Sequence, residues 1–509
     1  MQSYLTPVRG ALHRIDPADD VAVAVRALEP GETVVLSDSS ESSSLQVREL
    51  IPRGHKLALR AISAGSQVRK YGFPIGQAKR DIPAGSLVHT DNLTTLLTGV
   101  ERYEYRPAAP VKAMTLGLEQ PLEFMGYRRR NGRVGTRNEI WIISTVGCVT
   151  RTAERIARLG AERYAGHVDG IHALTHPFGC SQLGDDLAHT RRILASLILH
   201  PNAGGVLVVG LGCESNQLDK LLAEAGDYDR SRVRAFSAQT SDDEIEDGLD
   251  ALAELVQIAE CDEREACALS DLSIGLKCGG SDGLSGITAN PLVGRIADQV
   301  AAAGGTPILT EIPEVFGAEQ LLLRRAADAQ VFEQIVSLVD NFKRYFLDHG
   351  QPIYENPSPG NIAGGITTLE EKSLGAVQKG GRSPVNQVLL YGHRAARPGL
   401  ALLEAPGNDA VSSTALVAAG ATVLLFTTGR GTPLGFPVPT LKIASNSALA
   451  QKKPRWIDFD AGQVLEGTNM EAAARKLMQL ILETASGKPA RNELNDEREI
   501  AIWKTGVVL

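Results

Sequence analysis

The sequence predicts a multi-domain α/β protein with a small all-β module at its N-terminal end. Three observations carry this. The chain has 509 residues, which at roughly 150 residues per domain makes two to four domains. Its first part consists of short β-like runs broken by turns. From about residue 133, unbroken β-branched runs alternate with helical stretches.

In the first part, the runs at 33–36, 56–59 and 68–70 are separated by PRGH, SAGS, FPIG and IPAGS. Strands so short, with so much glycine and proline between them, predict a small all-β unit over residues 1–98. Residues 99–122, with YEYRPAAP at their centre, are polar and lack periodicity, which predicts a linker. Such a linker lets the module fold independently and close over the rest of the chain.

Beyond the linker, apolar runs at 140–144, 205–209, 273–276, 306–309 and 422–426 alternate with helical stretches such as 151–159 and 185–199. That alternation predicts parallel sheets covered on both faces. The acidic segment 242–254, followed by 259–268, predicts a surface helix and a junction helix carrying Cys261 and Cys267. A fresh strand–turn–helix unit begins at Leu272. The remainder therefore divides into a middle α/β domain over 123–268 and a C-terminal one over 269–509.

Composition excludes several classes. The formal net charge is −8, against the basic excess of a general nucleic-acid binder. Hydrophobic residues make up 43%, too many for a disordered chain. No stretch approaches the ~18 apolar residues of a membrane span, and the opening lacks a signal-peptide core. Six cysteines without a CxxC pair are no disulfide framework, and a reducing cytoplasm is expected.

The cysteines are the most informative chemical signal. Cys148, Cys180, Cys213 and Cys278 each follow an apolar run and precede a helical stretch. Their gaps approximate one, one and two βαβ units of ~30 residues. Ligands of open α/β sheets bind at the carboxyl ends of strands, so the four thiols could converge on one cleft. Buried packing is the competing reading.

KCGGSDGLSGITANP, from Lys277 to Pro291, is a glycine-rich loop before a helix, suited to a carboxylate or hydroxyl-rich ligand. It is no Walker motif. GLGCES, the nearest approach to a dinucleotide fingerprint, has Ser215 in the third glycine position, so no nucleotide cofactor is expected. TEIPEVFGAEQ places Glu311 and Glu314 just after a strand, as candidate metal ligands or a general base. His55 and His89 punctuate the β module, and His176 lies beside Cys180. The polar loops 354–375 and 405–435 are long for an α/β domain, and long loops of that kind tend to carry function.

The blocks RGHKLAL, YGFPIGQA, NGRVGTRNEIWI, FGCSQLGDD, HPNAGGVLVVGLGCE, CGGSDGLSGITANP, EIPEVFGAEQLL and TGRGTP resemble, in collinear order, the altronate dehydratase (altronate hydrolase) and galactarate dehydratase family. The closing KKPRWIDFDAGQ and the short opening resemble its altronate branch. The resemblance implies a β-clip (SAF-type) N-terminal domain, a middle dimerisation domain and a Rossmann-like catalytic domain. It implies dehydration of D-altronate to 2-dehydro-3-deoxy-D-gluconate in hexuronate catabolism, with Fe(II) or alternatively Mn(II), under reducing conditions. A galactarate dehydratase and an iron–sulfur-type dehydratase are the alternatives.

On that reading His55 and His89 are the expected proton carriers, with His176 next in line. The loop residues Lys277, Ser281, Asp282 and Asn290 are expected to hold the substrate, and Lys56 and Arg137 to meet its carboxylate. For the metal two ligand sets stay open. Cys148, Cys180, Cys213 and Cys278 suit soft iron, whereas Asp282, Glu311 and Glu314 make a harder site. The partner is a small sugar acid, with no nucleic acid and no membrane, and the assembly a homodimer.

Overall fold

The computed structural model describes residues 10–37, 42–106, 116–117 and 121–509. Residues 1–9 of the module and 107–115 and 118–120 of the expected linker lie outside them. The module is all β. One sheet joins Leu12–His13, Val21–Ala24, Lys56–Ala58 and Leu87–Val88; another joins Gln67–Lys70, Phe73–Ala78 and Leu93–Thr94.

The expected free-standing lid is instead seated. Val68, Tyr71 and Ile75 of the module share one apolar core with Leu284, Ile287 and Leu374 of the C-terminal domain. Burial of that shared surface, not the linker, holds the module in place. The described part of the linker is tied down too. Lys343 Nζ donates to Tyr103 Oη at 3.0 Å, and the Leu116 N–H donates to Gln299 Oε1 at 2.9 Å.

The middle domain carries a four-stranded parallel sheet ordered Gly170–Leu174, Glu139–Ser144, Ala203–Gly210 and Val233–Ser237. The expected junction helix over 259–268 is a strand in its second half. Glu265–Ala268 pairs antiparallel with Glu123–Arg128, so Cys267 is a buried strand residue, while Cys261 is exposed beyond the helix Glu244–Ala259.

The C-terminal domain carries seven parallel strands in the order Val385–Leu389, Leu400–Leu403, Thr306–Leu309, Ser273–Cys278, Val423–Thr428, Thr440–Ala444 and Phe459–Asp460. Successive connections run outward in opposite directions from Ser273–Cys278. This Rossmann-like reversal opens a crevice at the carboxyl ends of the central strands, where α/β proteins bind ligands. Helices Gly184–Ile198 and Asp409–Ala418 share an apolar core between the two large sheets, from Trp141 to Phe426.

The last residues run back across the middle domain. Arg137 is clamped by Glu493 at 2.7 and 2.8 Å, and the Thr505 and Gly506 N–H groups donate to Asp186 at 2.7 and 2.9 Å. Among the described residues, no helix is long and apolar enough to cross a membrane.

Candidate active site

The crevice is floored by the end of the central strand. Lys277 and Cys278 terminate it, and both side chains are buried. The neighbouring strand Thr306–Leu309 delivers Glu311, whose φ of 69° lies in the left-handed region. A non-glycine residue held there costs about 1–3 kcal/mol. The turn aims its carboxylate back at the first strand: the Cys278 N–H donates to Glu311 Oε2 at 3.0 Å, and Lys277 Nζ pairs with Oε1. The single-turn helix Ile312–Glu314 then brings Glu314 Oε2 to 3.2 Å from Cys278 Sγ.

Three lysines close the cluster. Lys277 also pairs with Asp409 at 2.9 Å, Lys372 pairs with Glu314 at 2.8 Å, and Lys379 lies 2.8 Å from Cys278 Sγ and 3.2 Å from Glu311. Three ammonium groups thus face three carboxylates. Burial, helped by the two glutamates, pushes the Cys278 thiol up to about 12, so it carries its proton. Burial alone would raise Glu314, but Lys372, Lys277 and Lys379 hold it down at about 2. An open cavity of about 770 Å³ abuts the cluster, lined by Cys278, Glu314, Lys372, Asp409, Asn361 and Ser281 among others.

One thiol and two carboxylates of Cys278, Glu311 and Glu314 lie within 4.8 Å of one another. This mixed set suits a transition-metal dication: the oxygens suit manganese, and the sulfur favours iron. Binding would release the thiol proton.

The module supplies a second cluster at its seam with the C-terminal domain. Lys56 and Lys70 share the Glu371 carboxylate at 2.8 and 2.7 Å, all three side chains being buried. Lys56 also donates to Gly365 O at 2.9 Å and Thr367 Oγ1 at 2.7 Å. Burial and the second ammonium lower Lys56 to about 8 against the pull of Glu371. Beside it His55 and His89 meet edge to face, ring centroids 5.1 Å apart, with His89 Nδ1 3.1 Å from Thr367 Oγ1. Burial lowers both imidazoles, His89 to about 4, so both are neutral at pH 7.

The remaining expected site residues are placed elsewhere or fully engaged. His176 is buried in the middle domain, with Nε2 2.9 Å from Ser144 O and Nδ1 accepting from the Phe178 N–H. Its ring braces a loop and has no nitrogen left for a substrate. Arg137 spends its guanidinium on Glu493 and on the Thr136, Thr484 and Lys488 carbonyls. Lys56 is a docking pin, with no vacant face for a substrate carboxylate.

Asp282 accepts from the Ser285 N–H, the Ser285 and Ser445 hydroxyls and the Asn446 amide, and so knots its loop. It lies outside the metal trio. Asn290 is bonded at both ends, to Gly375 O and to the Thr427 hydroxyl. Ser281 accepts from the Asn361 amide through its carbonyl and lines the cavity.

Cys148, Cys180 and Cys213 lie exposed at the end of the middle sheet, on a different sheet from Cys278. Of the two βαβ units that spacing read into the 65-residue gap the first is present, with helix Leu218–Ala225 leading to the parallel strand Val233–Ser237, but after helix Glu244–Ala259 the chain enters the antiparallel strand Glu265–Ala268 and then the other sheet. Lys372, Lys379, Asp409, Lys70 and Glu371 were not foreseen. Three of them, Glu371, Lys372 and Asp409, lie in the long polar loops 354–375 and 405–435, and that loop length was the available signal.

Three family models match the chain. They are the altronate/galactarate dehydratase SAF domain over residues 11–96, the D-galactarate dehydratase/altronate hydrolase second domain over 126–260, and the D-galactarate/altronate dehydratase C-terminal domain over 269–508. Altronate dehydratase of Escherichia coli (strain K12) is 51% identical over 499 residues, 97% of this chain and 99% of its own. Altronate dehydratase of Bacillus subtilis (strain 168) is 48% identical over 500 residues, with 97% and 99% covered. Galactarate dehydratase (L-threo-forming) of E. coli is 34% identical over 491 residues, with 93% and 92% covered.

Proposed function

This chain belongs to the altronate/galactarate dehydratase family, and we propose that it is a hydro-lyase converting D-altronate to 2-dehydro-3-deoxy-D-gluconate and water. The observation that carries this reading is the full-length match to two altronate dehydratases at 51% and 48%, against 34% for a galactarate dehydratase.

The reaction removes the C2 proton and the C3 hydroxyl, and the resulting enol tautomerises to the ketone. The C2 proton is weakly acidic, so the negative charge that develops on the carboxylate and C2 must be met by preorganised cations. Lys372, on the cavity wall, and Lys277 and Lys379 behind it supply them. His55 and His89 are neutral and able to take up a proton, and a positioned base or acid contributes ~10²–10⁴-fold. The loop partner of His89, Thr367, belongs to the same segment as Asn361 and Lys372, so docking of the module and the shape of the cavity are set together.

Fe(II), alternatively Mn(II), would be held by Cys278, Glu311 and Glu314, and would supply an electrophile for the enediolate. Lys379 competes with such an ion for the sulfur. All six cysteines are free, which supports a reducing cytoplasmic setting, and we place the chain there as a homodimer through its middle domain.

The test is an anaerobic assay of D-altronate and galactarate with Fe(II), Mn(II), Mg(II) or a chelator, detecting the 2-keto product. Altronate turnover that needs Fe(II) or Mn(II) is expected. Faster turnover of galactarate would move the reading to the other branch of the family, and turnover that a chelator leaves unchanged would remove the metal from it.

A further inference from the structure

Three cysteines of the middle domain remain unused by the dehydration chemistry, and their placement is not that of packing residues. Cys148, Cys180 and Cys213 follow three adjacent parallel strands, Glu139–Ser144, Gly170–Leu174 and Ala203–Gly210, each in a Gly-Cys pair. Their loops are stapled into one surface. The Gly147 N–H donates to Phe178 O at 2.8 Å and the Asn216 N–H to Gly179 O at 3.0 Å. The Asn216 amide donates to Thr145 O at 3.1 Å, and the Thr145 hydroxyl to Glu214 at 2.6 Å. Gly179, at φ +99°, is obligatory: a Cβ there would stand 2.2 Å from Thr145 O. Yet all three side chains are exposed, in contrast to Cys267 and Cys278. A cysteine chosen to fill space is buried; these fill none.

The spacing argues about what they hold. With metal–sulfur bonds of ~2.3 Å, thiolates around one tetrahedral ion stand roughly 4 Å apart. Among the described residues, the one trio of cysteine, histidine or carboxylate ligand atoms within 4.8 Å of one another is that of Cys278, Glu311 and Glu314. The three middle-domain sulfurs are therefore spread wider than the shell of a single ion. A cubane cluster binds each thiolate to a different iron, so its thiolates stand farther apart than those around one ion. Cys213 Sγ already receives a hydrogen bond from the Gln239 amide at 3.4 Å, and Cys180 Sγ lies 3.6 Å from the Ser181 hydroxyl. Contacts of this kind tune cluster sulfurs.

We propose that Cys148, Cys180 and Cys213 hold a [4Fe–4S] cluster, three irons bound by thiolate and the fourth open to an oxygen ligand. This site is separate from the Cys278 site and does not depend on the dehydratase reading.

The test uses the full chain, purified anaerobically and reconstituted with ferrous iron and sulfide. A broad visible absorbance is expected, with about four acid-labile sulfides per chain. Cys148→Ser, Cys180→Ser and Cys213→Ser should each lower cluster occupancy at least tenfold, whereas Cys278→Ser and Cys261→Ser keep it. In the unsubstituted chain, reconstitution should shield Cys148, Cys180 and Cys213 together from alkylation read by mass spectrometry, a measurement that needs no variant to fold. A colourless, sulfide-free protein overturns the proposal. So does uptake of a single ion by the three thiols, or a band that survives loss of any one of them.

Discussion

Among the described residues, the crevice and the module seam each gather buried lysines around carboxylates, and the two are built to different charge totals. In the crevice, Lys277, Lys372 and Lys379 face Glu311, Glu314 and Asp409, three against three. At the module seam, Lys56 and Lys70 face Glu371 alone. Balance holds every crevice lysine charged, their values raised against burial by the surrounding carboxylates. At the seam burial, with the second ammonium beside it, lowers Lys56 to about 8 against the pull of the one carboxylate, while Glu371 holds Lys70 raised. The first cluster is poised for an ionic visitor that rearranges existing pairs. The second is a fastening, in which the carboxylate is the shared and irreplaceable part.

Cys278→Ala breaks the crevice cluster without adding charge. Since even outer partners of a metal site are worth 10–100-fold, loss of Cys278 as the proposed direct ligand should cost more than ~10² in turnover. Cys261→Ala, at an exposed position beyond a helix, should cost nothing measurable. Equal losses in two folded variants would deny the crevice any special standing. His55→Asn and His89→Gln sharpen the comparison at the seam. At least one should lower the rate roughly 10²-fold or more, with metal binding measured separately to tell proton transfer from ligation.

Glu371→Gln leaves two ammonium groups buried without a counter-charge, and should cost about 3–5 kcal/mol of docking stability. Limited proteolysis of the module boundary and a thermal melt would read it. Lys56→Met leaves Lys70 and Glu371 as a matched pair. It should cost only about 1–3 kcal/mol, for the Gly365 carbonyl left unsatisfied, since the Thr367 hydroxyl keeps His89. If the two variants melt alike, the seam does not turn on its carboxylate.

The least local effect is that of pH. Burial lowers His176 to about 4 and His200 to about 3 from 6.5. Below pH 6.5 the unfolded chain binds protons that the fold refuses, so the melting temperature should fall from there toward pH 4. Glu371 and Glu314, at about 2 when folded against 4.5, contribute stability above pH 4.5 that is lost below it. A melting temperature flat between pH 7 and 4 would contradict these assignments.

Much of the crevice was legible in the chain. The runs ending near Cys278 and Leu309 are short, largely apolar and flanked by glycine, so their ends, and the residues just past them, could be located. The lysines were not legible. Lysine reads as surface by default, and Lys379 meets Cys278 across 101 residues while Lys56 meets Glu371 across 315; nothing local announces such pairs. Arg137 and Asp282 misled for the converse reason. A charged residue in a polar motif looks vacant until its partners, Glu493 in one case and Ser445 and Asn446 in the other, are folded beside it.

The clamp of Arg137 by Glu493 spans 356 residues. During synthesis at ~5–20 residues per second, those residues take roughly 20–70 s to appear. Once Val233–Ser237 has been made the middle domain has its sheet but not its fastening, and the Arg137 guanidinium waits for the C-terminal segment that covers and pairs it. Completion of this domain is thus a late, post-translational event, although most of its sequence is translated in the first half of the chain.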